Sequence, residues 1–212
     1  KGERLRPLTD KIPKPMIIID GKPIIEHTIG ILTKKGIENV YIVVNYKKEV
    51  IINYLESIKK KYKFKLRYIY QDKILGTAYA TSLIPLNISN PFILLLGDVV
   101  FYDFPGSISQ RPTIYVKKTR DTLNKGIIET NDGIITSFYY NRDKLNEEEF
   151  IDIGFMVLSR EVIENCKVHS YDSKDIPIVD IISQMIKNGT EFLAENFKGK
   201  IKHITSINDL KK

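Results

Sequence analysis

Basic side chains stand close together in the opening segment KGERLRPLTDKIPKPM. Pro7, Pro13 and Pro15 each fix their own φ and push the preceding residue toward extended geometry, so we expect a loop here rather than a helix. Lys14 stands between two of these prolines, and Arg4 carries a planar guanidinium that matches phosphate geometry. A restrained loop with cations in fixed places is suited to binding a polyphosphate. The alternative is a solvated basic terminus.

An acidic residue follows the most apolar run of the chain. The run PFILLLGD (91–98) is too short for a core helix and predicts a central strand that ends at Gly97 and Asp98. Ligands of doubly wound sheets lie outside the carboxyl ends of the strands. Mg²⁺ prefers one or two carboxylates together with phosphate oxygens and water. Asp98 is therefore either a magnesium ligand or a turn aspartate that caps the next segment, and its position alone does not decide.

A third candidate site lies in QDKILGTAYAT (71–81). Gln71 follows a predicted strand, and a glutamine side chain can read a base edge with one donor and one acceptor. Gly76 and Thr77 open a predicted helix, where a glycine lets a flat ring or a phosphate approach the backbone. Many helices begin with such a pair, so this signal is weak by itself.

The apolar pattern predicts the elements that hold these side chains. In the first half we predict a helix over 23–35 with Gly36 as its C-cap, a strand over 38–44, a helix over 47–60, a strand over 64–70, a short helix over 76–84 and the strand over 91–98. This alternation predicts an α/β fold, with a Rossmann-like, mixed and mostly parallel sheet flanked by helices.

The second half has a different character. TIYVKK, GIIET, GIITSFYY and FIDIGFMVL read as strands separated by turn signals. We therefore expect an antiparallel hairpin insertion that turns at Asp132-Gly133. A helix over 176–187 follows, opened by Asp175 and Pro177 and closed by Gly189, and KIKHITSINDLKK reads as a strand and a terminal turn.

The composition is that of an ordinary globular protein, with 212 residues, 42% hydrophobic and 28% charged. The net charge of +7 suits an anionic partner, although lysine-rich surfaces also keep proteins in solution. A single cysteine, Cys166, excludes an internal disulfide and fits a reducing compartment. No apolar run approaches the roughly 18 residues of a membrane helix, and no signal peptide is recognised. We therefore expect a cytoplasmic protein.

Several of these motifs together resemble one family. GERLRPLTDKIPKPMIIIDGKPIIEHTI resembles the signature of sugar-1-phosphate nucleotidyltransferases, G-x-R-L-x-P-L-T followed by P-K-P and a Gly-x-Pro helix entry. The likeness continues through LGTAYA, LLGD, KGIIET, DGIITSF, DIGFMVLS and the helix that carries Asp180. The resemblance implies one nucleotidyltransferase domain over 1–212, with a nucleotide-binding half (1–110) and a sugar-phosphate-binding half (111–212). It also implies a strand before residue 1.

The resemblance implies a role for each matched residue. Gly2 and Arg4 would surround the triphosphate, and Lys14 would contact phosphate at the reacting centre. The base pocket would contain Gln71, Gly76 and Thr77, and Mg²⁺ would be bound by Asp98 and Asp180. The sugar would be contacted by Gly126, Glu129 and Gly154. For Asp180 the helical pattern alone predicts a solvated side chain opposite the buried face. Only the resemblance assigns it to the metal.

The resemblance also implies a reaction. An oxygen of a sugar-1-phosphate attacks the α-phosphorus of a nucleoside triphosphate, and pyrophosphate leaves, with Mg²⁺ as cofactor. The implied partners are these two small molecules, with no nucleic acid and no membrane, and a homodimer is left open. PMIIIDGKPIIEHTI and LGTA look most like mannose-1-phosphate guanylyltransferases, which favours GTP with mannose-1-phosphate. A glucose-1-phosphate thymidylyl- or uridylyltransferase is the alternative.

Two stretches depart from the family pattern. Where many members have F-x-E-K-P with a sugar-phosphate lysine, this chain has Asn141, and Arg142 or Lys144 would have to replace that lysine. The usual W-x-D-I-G-T is KHITSINDL, without the Trp and the Asp. These departures keep open a non-catalytic homologue that senses nucleotides or nucleotide sugars. A glycosyltransferase is disfavoured, because GDVVFYD lacks the D-x-D that such enzymes commonly show.

Overall fold

The structure, a computed structural model, describes residues 3–123, 125–141, 147–169 and 175–210. Within these ranges the α-helices are α1 (Leu8–Lys11), α2 (Ile24–Lys34), α3 (Lys48–Tyr62), α4 (Gly76–Ser82), α5 (Arg160–His169) and α6 (Ile178–Lys187). The strands are β1 (Ile18–Ile19), β2 (Lys22–Pro23), β3 (Asn39–Val44), β4 (Lys65–Tyr70), β5 (Phe92–Leu95), β6 (Val99–Phe101), β7 (Thr113–Thr119), β8 (Lys125–Asn131), β9 (Ile134–Asn141), β10 (Glu149–Leu158), β11 (Leu193–Asn196) and β12 (Ile201–His203).

The chain forms two compact units. The first contains the described residues of 1–72, 96–104 and 199–212, and the second contains those of 73–95 and 105–198. The assignment of a nucleotide-binding half before residue 110 and a sugar-phosphate-binding half after it stays a prediction.

In the first unit, the parallel pair β3–β4 is joined by α3. The predicted helices are confirmed: α2 ends before Gly36, which has φ +75°, and α3 buries Ile51 and Leu55. These two side chains pack in one apolar cluster with Ile29 of α2. A second apolar cluster joins the opening segment to β6 and to Ile204, the residue after β12.

The proline-rich opening segment is more regular than the sequence predicts. The expectation of a loop without helix is wrong, because 3₁₀ turns form at Glu3–Leu5 and Lys14–Met16 and a single α-helical turn forms at α1. Prolines are compatible with such turns at their first positions, where an N–H has no helical partner. Leu5 is fully buried and anchors the segment.

The second unit is built on a six-stranded sheet in the order β5-β10-β7-β11-β9-β8, with a further pairing between β10 and β8. The β7–β11 pair is parallel, and the other pairs of this sheet are antiparallel. The predicted hairpin is confirmed between β8 and β9, where Asp132 and Gly133 have φ values of +50° and +78°. The α/β class and the antiparallel insertion are thus confirmed. The parallel pairs among the described strands are β3–β4 and β7–β11.

Helix α6 covers this sheet with its apolar face. The buried residues are Ile178, Val179, Ile181, Ile182 and Met185. Asp180 is exposed, as the helical pattern predicts. None of the helices within the described ranges is long and apolar enough to cross a membrane.

Candidate active site

The first unit brings the predicted catalytic lysine to the predicted metal ligand. Lys14 Nζ donates a hydrogen bond to Asp98 Oδ2 at 2.9 Å, across 84 residues of sequence. The 3₁₀ turn between Pro13 and Met16 directs the lysine, and the turn after β5 carries the aspartate. The Lys14 side chain is 19% exposed and that of Asp98 is 38% exposed, so the pair is open to an incoming ligand. A cation and a carboxylate in contact can bind a phosphate and a metal ion side by side.

Backbone pairing holds Asp98 in place independently of its side chain. Strand β12 runs antiparallel to β6, and Ile204 N, just beyond β12, donates to Asp98 O at 2.9 Å. Ile204 is fully buried and belongs to the cluster around Leu5. The carboxylate can therefore change partners while its backbone stays fixed.

The chemistry of Asp98 fits Mg²⁺. This ion needs only one or two carboxylates when substrate phosphates supply further oxygens, and Asp98 is a partly exposed carboxylate beside the ammonium of Lys14. Among the residues that the structure describes, no group of three His, Cys, Asp or Glu could hold a metal ion. A metal at this place would thus be bound together with a phosphate ligand.

Two other predicted residues of the first unit differ in exposure: Arg4 is exposed, whereas Gln71 is partly buried. Arg4 is exposed on the turn that Leu5 anchors, and it forms no ion pair with any described residue. Gln71 is held by its backbone alone: its N–H donates to Val44 O at 2.9 Å, and Asn45 Nδ2 donates to its carbonyl at 2.6 Å. The Gln71 side chain therefore stays available to a ligand. Gly2 lies outside the described residues.

In the second unit, Gly76 and Thr77 are packed against the start of α6. Gly76 has φ +87°, and a Cβ there would come within 2.3 Å of the Ile176 carbonyl oxygen and 2.5 Å of Asp175 Oδ1. The Thr77 hydroxyl accepts a hydrogen bond from Ile178 N at 2.8 Å. Besides the base-pocket role that the sequence suggests, these residues position another element. The sequence signal for this was the glycine at a helix start.

Asp180 lines an open groove of about 680 Å³ in the second unit. One wall is the β9 segment Phe138, Tyr139 and Tyr140, and the other is formed by Asp175, Pro177 and the polar face of α6 (Asp180, Ser183, Gln184 and Lys187). Burial raises the pKa of the Tyr139 phenol above its usual value, and the negative charge of Glu129 adds to this. The phenol therefore stays protonated at neutral pH and can donate a hydrogen bond.

The predicted sugar residues Gly126 and Gly154 meet at a carboxylate that sequence reasoning missed. Asp152 is 9% exposed, and its Oδ1 accepts a hydrogen bond from Gly154 N at 2.7 Å. Gly154 has φ +77°, and a Cβ on Gly126 would lie 3.4 Å from Asp152 Cβ and 2.8 Å from the Phe138 ring. An aspartate inside the apolar run FIDIGFMVL was the available signal, since carboxylates are rarely buried without a reason. Glu129 is exposed on β8.

Some of the residues that differ from the family pattern lie in the described part of the chain. Asn141 Nδ2 donates to Thr122 O at 3.4 Å, so a neutral amide with a backbone partner stands at the usual lysine position. Arg142 and Lys144 lie outside the described residues. In the segment that lacks the usual aspartate, Asp209 Oδ2 accepts from the N–H and hydroxyl groups of Thr205 and Ser206, at 2.7 to 3.1 Å. Asp209 thus caps a turn.

Comparison with known proteins agrees with these motifs. A family model described as Nucleotidyl transferase matches residues 1–203. The bifunctional protein GlmU of Methanococcus maripaludis is 34% identical over 197 residues, covering 89% of this chain and 46% of GlmU. The mannose-1-phosphate guanyltransferase of Saccharomyces cerevisiae is 29% identical over 194 residues, covering 84% of this chain and 53% of the yeast protein.

The solved structures agree on the fold. The CTP:phosphocholine cytidylyltransferase of Streptococcus pneumoniae superposes with a TM-score of 0.82 at 22% identity, covering 99% of this chain and 92% of that one. The chain spans about half the length of the curated relatives it matches. With a match over residues 1–203, the chain belongs to the nucleotidyl transferase family.

Proposed function

We propose that the protein is a sugar-1-phosphate nucleotidyltransferase that makes an NDP-sugar and pyrophosphate with Mg²⁺. An oxygen of the sugar-1-phosphate forms a bond to the α-phosphorus of the nucleoside triphosphate. The bond from that phosphorus to the bridging oxygen breaks, and pyrophosphate leaves with the electron pair. Family membership supports the reaction class, and the single observation that carries the proposal is the contact between Lys14 and Asp98.

Charge is the first obstacle to this reaction, because both substrates are anions. Two unit charges 4 Å apart repel by roughly 4 kcal/mol at an effective dielectric of 20. Lys14 offers an ammonium for phosphate at the reacting centre, and Arg4 is an exposed guanidinium suited to the triphosphate. Mg²⁺, when bound, neutralises further phosphate charge. Asp98 is the proposed ligand, and Asp180 is proposed as the second on the motif match alone.

The proposal assigns no general base. A phosphate oxygen is already anionic at neutral pH, so the nucleophile needs positioning rather than deprotonation. Gln71 is proposed to bind the base with its side chain, and Gly76 and Thr77 with their backbone, since the Thr77 hydroxyl is already bonded to Ile178 N. Gly126, Glu129 and Gly154 are proposed to bind the sugar, where Asp152 fixes the backbone of Gly154.

For the substrates, we propose GTP and mannose-1-phosphate. The LGTA motif favours guanylyl or uridylyl transfer, and a mannose-1-phosphate guanyltransferase is among the relatives. A glucose-1-phosphate uridylyl- or thymidylyltransferase is the alternative within the same reaction class.

A second candidate is a non-catalytic homologue that senses nucleotides or nucleotide sugars. The observation in its favour is Asn141, a neutral amide with a backbone partner where many members carry the sugar-phosphate lysine. The Lys14–Asp98 pair favours catalysis, because a sensor has no need for a cation and a metal carboxylate in contact.

The test is pyrophosphate release by the purified protein with Mg²⁺. Each of GTP, UTP, dTTP, ATP and CTP is paired with mannose-, glucose- and N-acetylglucosamine-1-phosphate. We expect release with GTP and mannose-1-phosphate. Release with a different single pair would overturn the substrate assignment and keep the reaction class.

The test variant is Asp98→Asn, whose backbone bond to Ile204 does not involve the side chain. We expect a loss of roughly 100-fold or more in kcat, because a metal ligand is removed. The matched control is Asp132→Asn, an exposed turn residue whose φ of +50° asparagine tolerates equally well. Nucleotide binding without turnover of any pair by the wild-type protein would establish the sensor and overturn the proposal.

A further inference from the structure

Helix α6 begins without a side-chain cap of its own. Its N-cap is Pro177, which has no side-chain acceptor. The first N–H groups of a helix have no partner within it, and Ile178 is 2% exposed, which keeps its N–H away from bulk water. The Thr77 hydroxyl, 101 residues away in the sequence, accepts a hydrogen bond from Ile178 N at 2.8 Å.

Two backbone hydrogen bonds strengthen the same junction. Ile176 N donates to Leu75 O at 3.2 Å, and Ala78 N donates to Ile176 O at 3.0 Å. Between them, Gly76 lies so close to Ile176 that no side chain fits. The loop that opens α4 and the segment that opens α6 are therefore joined at three successive points and shift together.

We propose that Thr77 is a positioning residue that fixes the start of α6 and thereby the place of Asp180. Asp180 lies in the first turn of this helix, and its N–H donates to Pro177 O at 3.1 Å. A change at the first turn moves Asp180 and, with it, one wall of the groove. The kinetic part of this inference rests on the proposed function.

The arrangement couples two sites of the second unit. A nucleotide that binds the loop at Gly76 and Thr77 stabilises the junction, and the junction holds the first turn of α6. Ordering one site lowers the cost of ordering the other, which is positive coupling. We therefore expect nucleotide binding to slow amide exchange in 178–182.

The first test measures amide exchange with Thr77→Val and Thr77→Ser. Valine keeps the shape and removes the acceptor, whereas serine keeps the hydroxyl. We expect exchange in 178–182 to be faster by roughly 3- to 30-fold in the valine variant, as for loss of a helix cap, and near wild type in the serine variant. The matched control is Thr33→Val, which removes a hydroxyl that donates to Ile29 O on α2. The inference is overturned if the valine variant exchanges as slowly as wild type.

The second test separates positioning by the Thr77 hydroxyl from direct contact between that hydroxyl and the nucleotide. A positioning role predicts that Thr77→Val lowers kcat several-fold with little change in KM for the nucleoside triphosphate, and that serine restores kcat. A direct contact predicts the reverse: a raised KM, an unchanged kcat and unchanged exchange in α6. Such a result would overturn the inference.

Two precautions keep the result decisive. If Thr77→Val does not fold, Thr77→Ala removes the same acceptor without the branched side chain and is measured in its place. If the wild-type protein shows no turnover with any substrate pair, the proposed function fails, while amide exchange still decides the role of Thr77.

Discussion

The Lys14 ammonium occupies one side of the Asp98 carboxylate, with Nζ 2.9 Å from Oδ2. A divalent cation that binds this oxygen has to displace the ammonium first. Because backbone pairing with Ile204 holds Asp98, and prolines on both sides hold Lys14, the exchange of partners needs only side-chain movement. If Asp98 is the metal ligand, as proposed, Lys14 and the metal ion compete for this carboxylate in the ligand-free protein. A triphosphate that binds here would end this competition, because it would offer the displaced ammonium a new partner.

Replacing Lys14 by methionine is expected to tighten metal binding while it lowers activity. Without the ammonium, Mn²⁺ should bind the ligand-free protein roughly 3- to 10-fold more tightly, a modest gain because the pair is partly exposed and screened. Electron paramagnetic resonance of Mn²⁺ measures this without turnover. The control Lys59→Met breaks an exposed ion pair with Glu56 and should leave Mn²⁺ affinity unchanged. Equal or weaker binding by Lys14→Met would exclude the competition.

Replacing Asp180 by asparagine separates two interpretations of this residue. If Asp180 is a metal ligand, the asparagine variant should bind Mn²⁺ more weakly in the presence of nucleotide, and its kcat should be lower by roughly 10-fold or more. If Asp180 is only a solvated residue, the variant should lose about 0.5 kcal/mol of unfolding free energy, because the carboxylate no longer interacts with the N-terminus of α6, and its activity should not change. Titration of Mn²⁺ with the nucleotide present decides, and wild-type affinity in the variant would remove Asp180 from the metal site.

Replacing Gly76 by alanine is expected to destabilise the second unit by about 2 to 4 kcal/mol. The substitution combines a positive φ with a Cβ 2.3 Å from the Ile176 carbonyl oxygen. The control Gly133→Ala has a similar φ of +78° but no atom within 4 Å of its Cβ, so it should cost only about 1 kcal/mol. Urea denaturation followed by circular dichroism compares the two. Equal losses would mean that the junction with Ile176 tolerates the added methyl group.

The buried carboxylate of Glu26 makes stability depend on acid. Burial has the largest influence and raises its pKa, but hydrogen bonds from Tyr54, Tyr62 and Lys61 together outweigh it and bring the pKa to about 2, from an ordinary value of 4.5. Since the folded-state pKa is lowered, this stabilisation is complete above pH 4.5 and is lost as the pH falls toward 2. Its size is about 3 kcal/mol.

The variant Glu26→Gln should therefore lose about 2 to 3 kcal/mol of unfolding free energy at pH 7, and the deficit should shrink between pH 4.5 and 2. Urea denaturation at several pH values measures it. The control Glu191→Gln breaks an exposed pair with Arg111 and should cost less than about 1 kcal/mol. A deficit that stays constant down to pH 2 would show that Glu26 is not held ionised.

Local sequence patterns predicted the elements whose signals lie within a few residues. Helical spacing predicted α3 and α6, and Asp132-Gly133 predicted a turn whose positive φ values those residue types tolerate. Because these features depend on neighbours along the chain, they can be predicted without knowledge of the fold.

Other elements depend on distant partners and were not predictable in this way. Helix α5 has the β-branched Val162 and Ile163 among polar residues, and packing of its few buried side chains on α4 and α6 determines it. Strand β11 exists through its pairing with β7 and β9. The short helical turns of the opening segment depend on the burial of Leu5.

The sequence by itself determined the family and the residue types available for chemistry, because long motifs are read directly. Only the tertiary structure decided which of these residues are partners. It joined Lys14 to Asp98 and Thr77 to Ile178, and it buried Glu26 and Asp152. The physical reason is that such contacts form between segments as far as 101 residues apart, whose meeting depends on how the whole chain packs.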